Sequence, residues 1–266
     1  MALCLLTVLF VCGLLPTGGC SKNGSSGKGV FYTGLEAGFK FDRKLKNCGS
    51  VRLRTTNAYT TFVRDGVFGK ACRFAGNSTF MMDDLRFEDS GTWALWFRVA
   101  PDADLQEEIR IIDANHYRFS LVKEKLEMRF HDGSWRKHTV LDKVVPGQWT
   151  HAAVTWAGDR VRFYVNGTLV RTMSYRGTPA QRVRSAVAGA RWTGDGNWFK
   201  GDIDELLMYS RALAAEEIKA LQTDGLDNAT PPEFIAATED VIMEFSGVPA
   251  GTPADPATRS PHEETP

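Results

Sequence analysis

The sequence predicts an all-β fold in which two antiparallel sheets stack face to face, with one short helix near the C-terminus. Two observations predict it. From residue 38 to residue 209, short runs rich in Val, Ile, Phe, Tyr, Trp and Thr are separated by Gly, Asp, Asn or Pro, a pattern typical of strands joined by tight turns. Helical periodicity is clear only at residues 214–222, so strands do not alternate with helices as in parallel α/β folds.

The clearest element is a three-stranded meander at residues 149–171. Its predicted strands, 149–156, 160–165 and 168–171, are separated by Ala157-Gly158-Asp159 and by Asn166-Gly167. Asn-Gly between alternating segments is a strong hairpin signal, because both central residues of a type I′ turn need positive φ.

The remaining strands show the same pattern. They are predicted at residues 70–74, 79–82, 92–99, 109–113, 117–122, 125–130, 135–140, 183–189 and 199–209. So many short strands favour a double-sheet sandwich. The helix is expected to end near Gly225, a residue type suited to helix C-termini, and to begin at Ala214, which offers no side-chain cap.

The N-terminus is typical of an export signal. Residues 2–15 are almost wholly apolar, too few to cross a bilayer, which needs about 20 residues. We therefore predict a signal peptide at 1–19 and a flexible linker at 20–29. Cys20 follows small residues, as in a bacterial lipobox, which implies lipidation of Cys20 and attachment to the cell envelope, at the outer membrane or cell surface. Thr17 stands where the lipobox usually has Leu, so a secreted protein is the alternative.

Charge is balanced overall but unevenly distributed. Lys and Arg total 32, as do Asp and Glu, which argues against a dedicated nucleic-acid binder. Residues 227–266 contain eight acidic side chains and one basic. This acidic, Pro-rich tail is expected to be mostly disordered, leaving residues 30–226 as the folded domain. The only membrane contact expected is the lipid anchor.

The cysteines fit export. Cys4 and Cys12 would leave with the signal peptide and Cys20 would carry lipid, so Cys48 and Cys72 remain as one pair. An oxidising compartment permits a disulfide between them. Two separate buried thiols are the alternative.

Several motifs resemble one family. Residues 146–156, Pro-Gly-Gln-Trp-Thr-His-Ala-Ala-Val-Thr-Trp, and residues 201–205, Gly-Asp-Ile-Asp-Glu, are similar to the central meander and closing strand of laminin-G-like jelly rolls. Residues 69–76 and 92–97 agree with that family in order and spacing. The chain thus resembles the concanavalin A-like lectin/glucanase superfamily over about residues 30–223, which implies a jelly-roll sandwich.

The resemblance also implies a metal site. In such jelly rolls the Asp of Gly-x-Ile-Asp-Glu often helps to hold Ca²⁺ with oxygens from the loop after the first strand. Here the ligands would be Asp204, Asp42 and Asn47. The alternative is that Asp204 accepts backbone hydrogen bonds at the end of a strand.

Catalytic residues are not found. The superfamily's retaining glucanases carry Glu-x-Asp-x-Glu on one strand. Here the matching residues, 202–206, lack a leading Glu and have Leu206 in the third place. We therefore expect a non-catalytic recognition module for a glycan or a glycosylated surface. A diverged polysaccharide hydrolase and a surface scaffold or adhesion protein for protein partners are the alternatives. No oligomeric state is predicted.

Aromatic residues beside turns are the predicted ligand contacts. Sugar C–H faces pack on such rings while neighbouring polar groups fix the hydroxyls. The candidates are Trp135, Trp192, Asp195, Asn197 and Trp198. The alternative is that these rings close the edge of the sandwich.

Overall fold

Antiparallel strands build the fold, as the sequence predicts. A computed structural model describes residues 30–42, 44–86, 89–114, 117–131, 134–141, 143–174 and 184–229. The predicted signal peptide, the linker up to residue 29, Cys20 and nearly all of the acidic tail lie outside these residues. They remain predictions.

Fifteen strands, one 3-10 helix (Val30–Tyr32) and one α-helix, α1 (Ala215–Asn228), form within the described residues. The strands are β1 Leu35–Phe39, β2 Arg54–Ala58, β3 Thr61–Gly66, β4 Gly69–Ala75, β5 Thr79–Asp83, β6 Gly91–Val99, β7 Ile109–Asp113, β8 Tyr117–Val122, β9 Lys125–His131, β10 Trp135–Leu141, β11 Trp149–Ala157, β12 Arg160–Val165, β13 Thr168–Ser174, β14 Ser185–Ala188 and β15 Lys200–Tyr209. Every strand predicted from the sequence is present, with ends within three residues.

The described strands form two sheets. The first has the order β13-β12-β11-β6-β15-β4-β3, with β1 also paired to β15. The second has the order β10-β9-β8-β7-β14-β5-β2. Neighbouring strands are antiparallel, for example β6 with both β11 and β15. The predicted two-layer sandwich is thus confirmed.

The main core lies between the sheets. Trp93 of the first sheet meets Trp156 edge to face, with ring centroids 6.4 Å apart, and lies 5.8 Å from the ring of Tyr117 in the second sheet. Phe97, Phe163, Phe119 and Phe130 belong to the same cluster, and all are buried. Alternation along each strand supplies these inward-facing side chains.

The outer face of the first sheet is buried too. Ala94, Ala153, Leu207 and Tyr209 alternate with the core residues of their strands and pack in a second cluster. The elements that cover them contribute Phe31, Leu213, Ile218, Leu221 and Leu226. The single α-helix of the described residues therefore covers the first sheet.

Helix α1 begins without a side-chain cap at Ala214, as predicted, but its first turn is held in another way. The carboxylate of Glu217 accepts a hydrogen bond from the backbone N–H of Ala214 at 2.9 Å and two from the guanidinium of Arg211. Gly225 takes a left-handed conformation, φ 70°, and interrupts the helix. In the described ranges no helix has the length and apolar character needed to cross a membrane.

The predicted pairing of Cys48 with Cys72 is wrong. Cys72 is a free thiol on β4 that points into the core, where burial raises its pKa to about 12. Cys72 is therefore not bonded to Cys48. The inward position of Cys72 explains the result, because its thiol packs among core side chains.

Gly189 is a position where a side chain cannot fit. It has φ +89°, and a Cβ there would lie 2.3 Å from the ring of Phe74 and 2.6 Å from the carbonyl oxygen of Ser78. We expect Gly189→Ala to lower the free energy of unfolding by about 3 kcal/mol, measured by denaturant titration.

Gly158→Ala is the matched control. Gly158 also has positive φ, +57°, but nothing lies within 4 Å of a Cβ built there. Only the left-handed backbone is penalised, so a loss of about 1 kcal/mol is expected. Equal losses in the two variants would show that backbone strain, and not the close approach to Phe74, limits Gly189.

Candidate functional site

The outer face of the second sheet carries a cluster of charged side chains. On β8 and β9 the apolar residues Phe119, Leu121 and Met128 enter the core, so their neighbours point the other way. The outward set, with one residue preceding β7 and two on β10, comprises Glu108, Arg110, Asp113, Arg118, Ser120, Glu127, Arg129, Trp135 and Lys137. We call these residues the charged face.

Strand register places the charged residues side by side. Arg118 on β8 is opposite Arg129 on β9, and Arg129 is opposite Lys137 on β10. Opposed residues on one face lie about 5 Å apart. Three basic side chains therefore form a row across three strands.

Carboxylates form ion pairs with most of the basic side chains of the charged face. Arg110 bonds Asp113 at 3.2 Å and the hydroxyl of Ser120 at 2.9 Å, and it also pairs with Glu108. Arg129 contacts Glu108 at 3.0 Å and Glu127 at 3.1 Å, and Lys137 contacts Glu127 at 2.8 Å. The side chains are thus held in fixed positions.

These contacts set the protonation of the face. Burial raises the pKa of Glu108, but the hydrogen bond from Arg110 and the charges of Arg110, Arg129 and Arg118 outweigh it, so the pKa lies below its usual value. Burial lowers the pKa of Arg118, and the charges of Arg110 and Arg129 lower it further. Glu108 is therefore an anion at neutral pH, and Arg118 remains a cation.

Trp135 stands at the accessible edge of the charged face. Its residue is 46% exposed, and the guanidinium carbon of Arg118 lies 4.0 Å from the ring centroid. Side-chain exposure rises across the face from 6% at Arg110 through 20% at Arg129 to 53% at Lys137. A ligand would therefore approach from the side of β9 and β10.

The loop at residues 191–198 borders the same face near β7. The side-chain amide of Asn197 donates to the backbone carbonyl oxygen of Glu108 at 2.7 Å, and the backbone carbonyl oxygen of Asn197 accepts the backbone N–H of Arg110 at 2.8 Å. Of the predicted ligand residues, Trp135 thus belongs to the charged face, and Asn197 borders it from this loop.

The other predicted ligand residues have different surroundings. Trp192 is 47% exposed in the loop, and Trp198 is half-buried. Asp195 accepts hydrogen bonds from Arg191 and Thr193, so its carboxylate stabilises the loop itself.

The predicted Ca²⁺ ligands do not fit that ion as a set. The side-chain oxygen of Asn47 accepts hydrogen bonds from the backbone N–H groups of Gly38 and Gly49, both at 2.8 Å, which uses both of its lone pairs. The oxygens of Asp204 accept the N–H groups of Phe68 at 3.0 Å and Glu205 at 2.8 Å. The structure favours the backbone-bonding role for Asp204.

Asp42, the third predicted ligand, is close to a cation of the protein. Its carboxylate lies 3.5 Å from the ammonium of Lys40, which also pairs with Asp227 at the end of α1. Among the described residues, His, Cys, Asp and Glu form no group of three or more that could hold a metal ion.

The acids of Gly-x-Ile-Asp-Glu support the fold. Asp202 accepts hydrogen bonds from Arg73 at 2.8 Å and from Arg98 at 2.7 Å. Glu205 is buried beneath α1, where its carboxylate accepts the N–H of Leu226 at 2.9 Å. These carboxylates are not available to an external substrate.

A family model described as the concanavalin A-like lectin/glucanases superfamily matches residues 74–219. The chain belongs to this superfamily. A search of curated protein sequences found no match.

Several solved structures share the fold of this superfamily member. Domain 4 of AbnA, a GH43 extracellular arabinanase from Geobacillus stearothermophilus, in complex with arabinotriose, is 23% identical, with a TM-score of 0.58 over 71% of this chain and 98% of that one. The binding domain of Paraclostridial Mosquitocidal Protein 1 is 18% identical, with a TM-score of 0.59 over 72% of this chain and 52% of that one.

The binding domain of botulinum neurotoxin serotype D is 11% identical, with a TM-score of 0.58 over 74% of this chain and 52% of that one. This superfamily member thus spans about half the length of the two toxin domains. At these identities, the likeness shows the fold alone.

Most of the charged face was missed from the sequence, although a signal was present. The strands at 117–122 and 125–130 were predicted correctly, and both alternate apolar residues with charged ones, as in Tyr117-Arg118-Phe119 and Met128-Arg129-Phe130. Aligning the two alternations as a hairpin would have brought the arginines together.

Glu205 makes stability depend on pH. Burial raises its pKa to about 8 from 4.5, and the charge of Asp204 adds to the rise, while Lys40 opposes it. The folded state thus keeps a proton that the unfolded chain releases, so the stabilisation is lost as pH rises from 4.5 through 8. Burial likewise raises the pKa of Asp204 to about 7.

We expect the melting temperature to fall between about pH 7 and pH 8. In this range His151, whose pKa burial lowers to about 3, is largely neutral in both states. Glu205→Gln keeps an acceptor for Leu226 but cannot ionise, so it should flatten the fall and be more stable than wild type at pH 8. Glu107→Gln, at an exposed carboxylate, is the control. If the melting temperature of Glu205→Gln fell with pH as steeply as that of the wild type, Glu205 would not be the cause of the pH dependence.

Proposed function

We propose that this protein is an exported, lipid-anchored, non-catalytic module that binds carbohydrate at the charged face. The observation that carries the proposal is the half-exposed ring of Trp135, set against Arg118 at the edge of a face lined with paired arginines and carboxylates.

This arrangement suits sugar recognition. Aromatic rings pack on the C–H faces of sugars, and hydroxyl groups need donors and acceptors at fixed positions. Arg129 and Lys137 offer donors, and Glu108, whose side chain is 24% exposed, offers an acceptor. Ion pairs with carboxylates hold both bases in place. Pre-ordered side chains lose little entropy when a ligand binds.

Binding without cleavage agrees with the carboxylates. A glycosidase needs a carboxylic acid of raised pKa beside a second carboxylate. Glu108 of the charged face has a lowered pKa, held by arginines. Asp204 and Glu205 have raised pKa values but are 0% and 4% exposed, so a polysaccharide cannot reach them.

Two further observations support the proposal. One structure of the same fold is a domain of an extracellular arabinanase in complex with arabinotriose, and others are toxin binding domains. The apolar residues 2–15, followed by small residues and Cys20, support export and lipid attachment.

Removal of the Trp135 ring should abolish most of the binding. With neutral and acidic oligosaccharides screened by titration calorimetry, we expect Trp135→Ala to weaken the best ligand at least about tenfold, the loss typical of a central aromatic contact. Trp192→Ala should weaken it less, because Trp192 lies on the bordering loop.

Phe62→Ala is the control for this test. It removes a 40% exposed aromatic from β3, an edge strand of the first sheet, and should leave affinity unchanged. If Trp135→Ala bound the ligand as tightly as the wild type, the charged face would not be the binding site. Release of reducing sugar by the wild type would favour the hydrolase alternative.

Lipid attachment has a separate test. In a Gram-negative host we expect the wild type to partition into the detergent phase of a Triton X-114 extraction and Cys20→Ser to move to the aqueous phase. Cys12→Ser, inside the apolar segment, is the control and should behave as the wild type. Aqueous partition of the wild type would indicate a secreted protein.

A further inference from the structure

Arg118 is the least satisfied base of the charged face. Arg110, Arg129 and Lys137 each have a carboxylate oxygen within 3.2 Å. The nearest carboxylate of Arg118 belongs to Asp113, at 3.9 Å, which is beyond hydrogen-bond range.

Two donors of this row are unused. The Nε atoms of Arg118 and Arg129 are buried and have no hydrogen-bond partner within the described part of the chain. The two residues are opposite each other on β8 and β9. Because these two atoms are closed to solvent, a ligand would meet the remaining, partly exposed part of each side chain, which is 14% exposed for Arg118 and 20% exposed for Arg129.

The balance of charge points to an anionic group. The named side chains of the face are four bases and three acids, so one positive charge is left over. The same imbalance lowers the pKa of Arg118, after burial, through the nearby charges of Arg110 and Arg129. A single negative charge beside Arg118 would relieve this repulsion.

Trp135 places a sugar ring beside that charge. The guanidinium of Arg118 lies 4.0 Å from the Trp135 ring centroid. Because Arg118 occupies one face of the ring, a sugar would pack on the other face, and its substituents would extend past the ring edge towards the row of arginines. Planar guanidinium groups bind carboxylates through paired hydrogen bonds.

We propose that the charged face binds a uronic-acid-containing glycan, with the sugar ring against Trp135 and its carboxylate accepting hydrogen bonds from Arg118 and Arg129. This inference rests on the proposed function and specifies its substrate class. A neutral glycan would leave the extra positive charge without a counter-charge.

Matched ligands test the carboxylate directly. The purified protein is titrated with hexasaccharides of galacturonate, alginate and hyaluronan, each as the free acid and as the methyl ester, which keeps the sugar backbone and removes the charge. At least one free acid should bind at least about tenfold more tightly than its ester.

Matched variants locate the effect. Arg118→Gln should reduce the advantage of acid over ester to less than about twofold. Arg160→Gln removes the same charge from β12 of the first sheet, where Arg160 is 60% exposed, and should keep the full advantage. If Arg118→Gln melts well below the wild type, Arg118→Lys replaces it. Arg118→Lys keeps the positive charge but lacks the planar guanidinium group, so it should lose part of the advantage of acid over ester.

The outcomes separate this inference from the proposed function. Equal binding of acids and esters overturns the uronate assignment, and the glycan site stands if Trp135→Ala still abolishes binding. No binding by any acid, ester or neutral oligosaccharide overturns both. If Arg118→Gln and Arg160→Gln reduced the advantage of acid over ester equally, the attraction would be diffuse. That result would overturn the uronate assignment. Equally tight, Arg118-dependent binding of a carboxyl-free sulfated hexasaccharide would also overturn it.

Discussion

Burial of both faces of the first sheet is the constraint on which the rest of the structure depends. Side chains of β6, β11 and β15 alternate between the core that the two sheets share and the cluster beneath α1. A fully buried large apolar side chain contributes about 1.5–3 kcal/mol, so neither face of these strands can be exposed without a large loss. Both faces of the first sheet are therefore occupied by packing contacts, and polar side chains can be placed on the outer face of the second sheet.

The same constraint explains the buried acids of β15. The pairing of β15 with β6 shifts register between Asp204 and Leu207, and Glu205 has φ 45°. Such a bulge redirects a side chain, and here the carboxylate of Glu205 meets the N–H of Leu226. Lys40 and Asp227 form an ion pair near it. The acids of the family motif thus fasten the end of α1 to the sheet.

The sequence predicted the sandwich because its strands alternate clearly and its turns have distinctive residues. Asn166 and Gly167 show the positive φ values, 48° and 74°, that the hairpin prediction required. Strands β1, β2 and β3 were not predicted. The residues of β1 are mostly buried and those of β2 and β3 mostly exposed, so no alternation of apolar and polar residues marks these strands. The pairing of Cys48 with Cys72 failed because spacing does not show which way a strand residue points.

Prediction of the candidate site was partial for a related reason. Trp135, at the start of β10, and Asn197, in the loop that borders the face, were predicted individually. The arginines were not, because a charged residue at an alternating position is usually a solvated one. Only the register of β7, β8, β9 and β10 shows that Arg118 and Arg129 face each other, and register depends on contacts between strands that no single segment contains.

The chemistry of the charged face argues for a function beyond folding. Burying an ion pair costs desolvation energy that its attraction often does not recover, and apolar residues in its place are commonly as stable. Yet Arg110, Asp113 and Glu127 are at most 5% exposed on a sheet face that no α-helix of the described residues covers. Proteins accept such local costs mainly at functional sites. Because outward positions can change without disturbing the core, related sandwiches can keep the fold and bind different ligands, so the ligand is best inferred from the face itself.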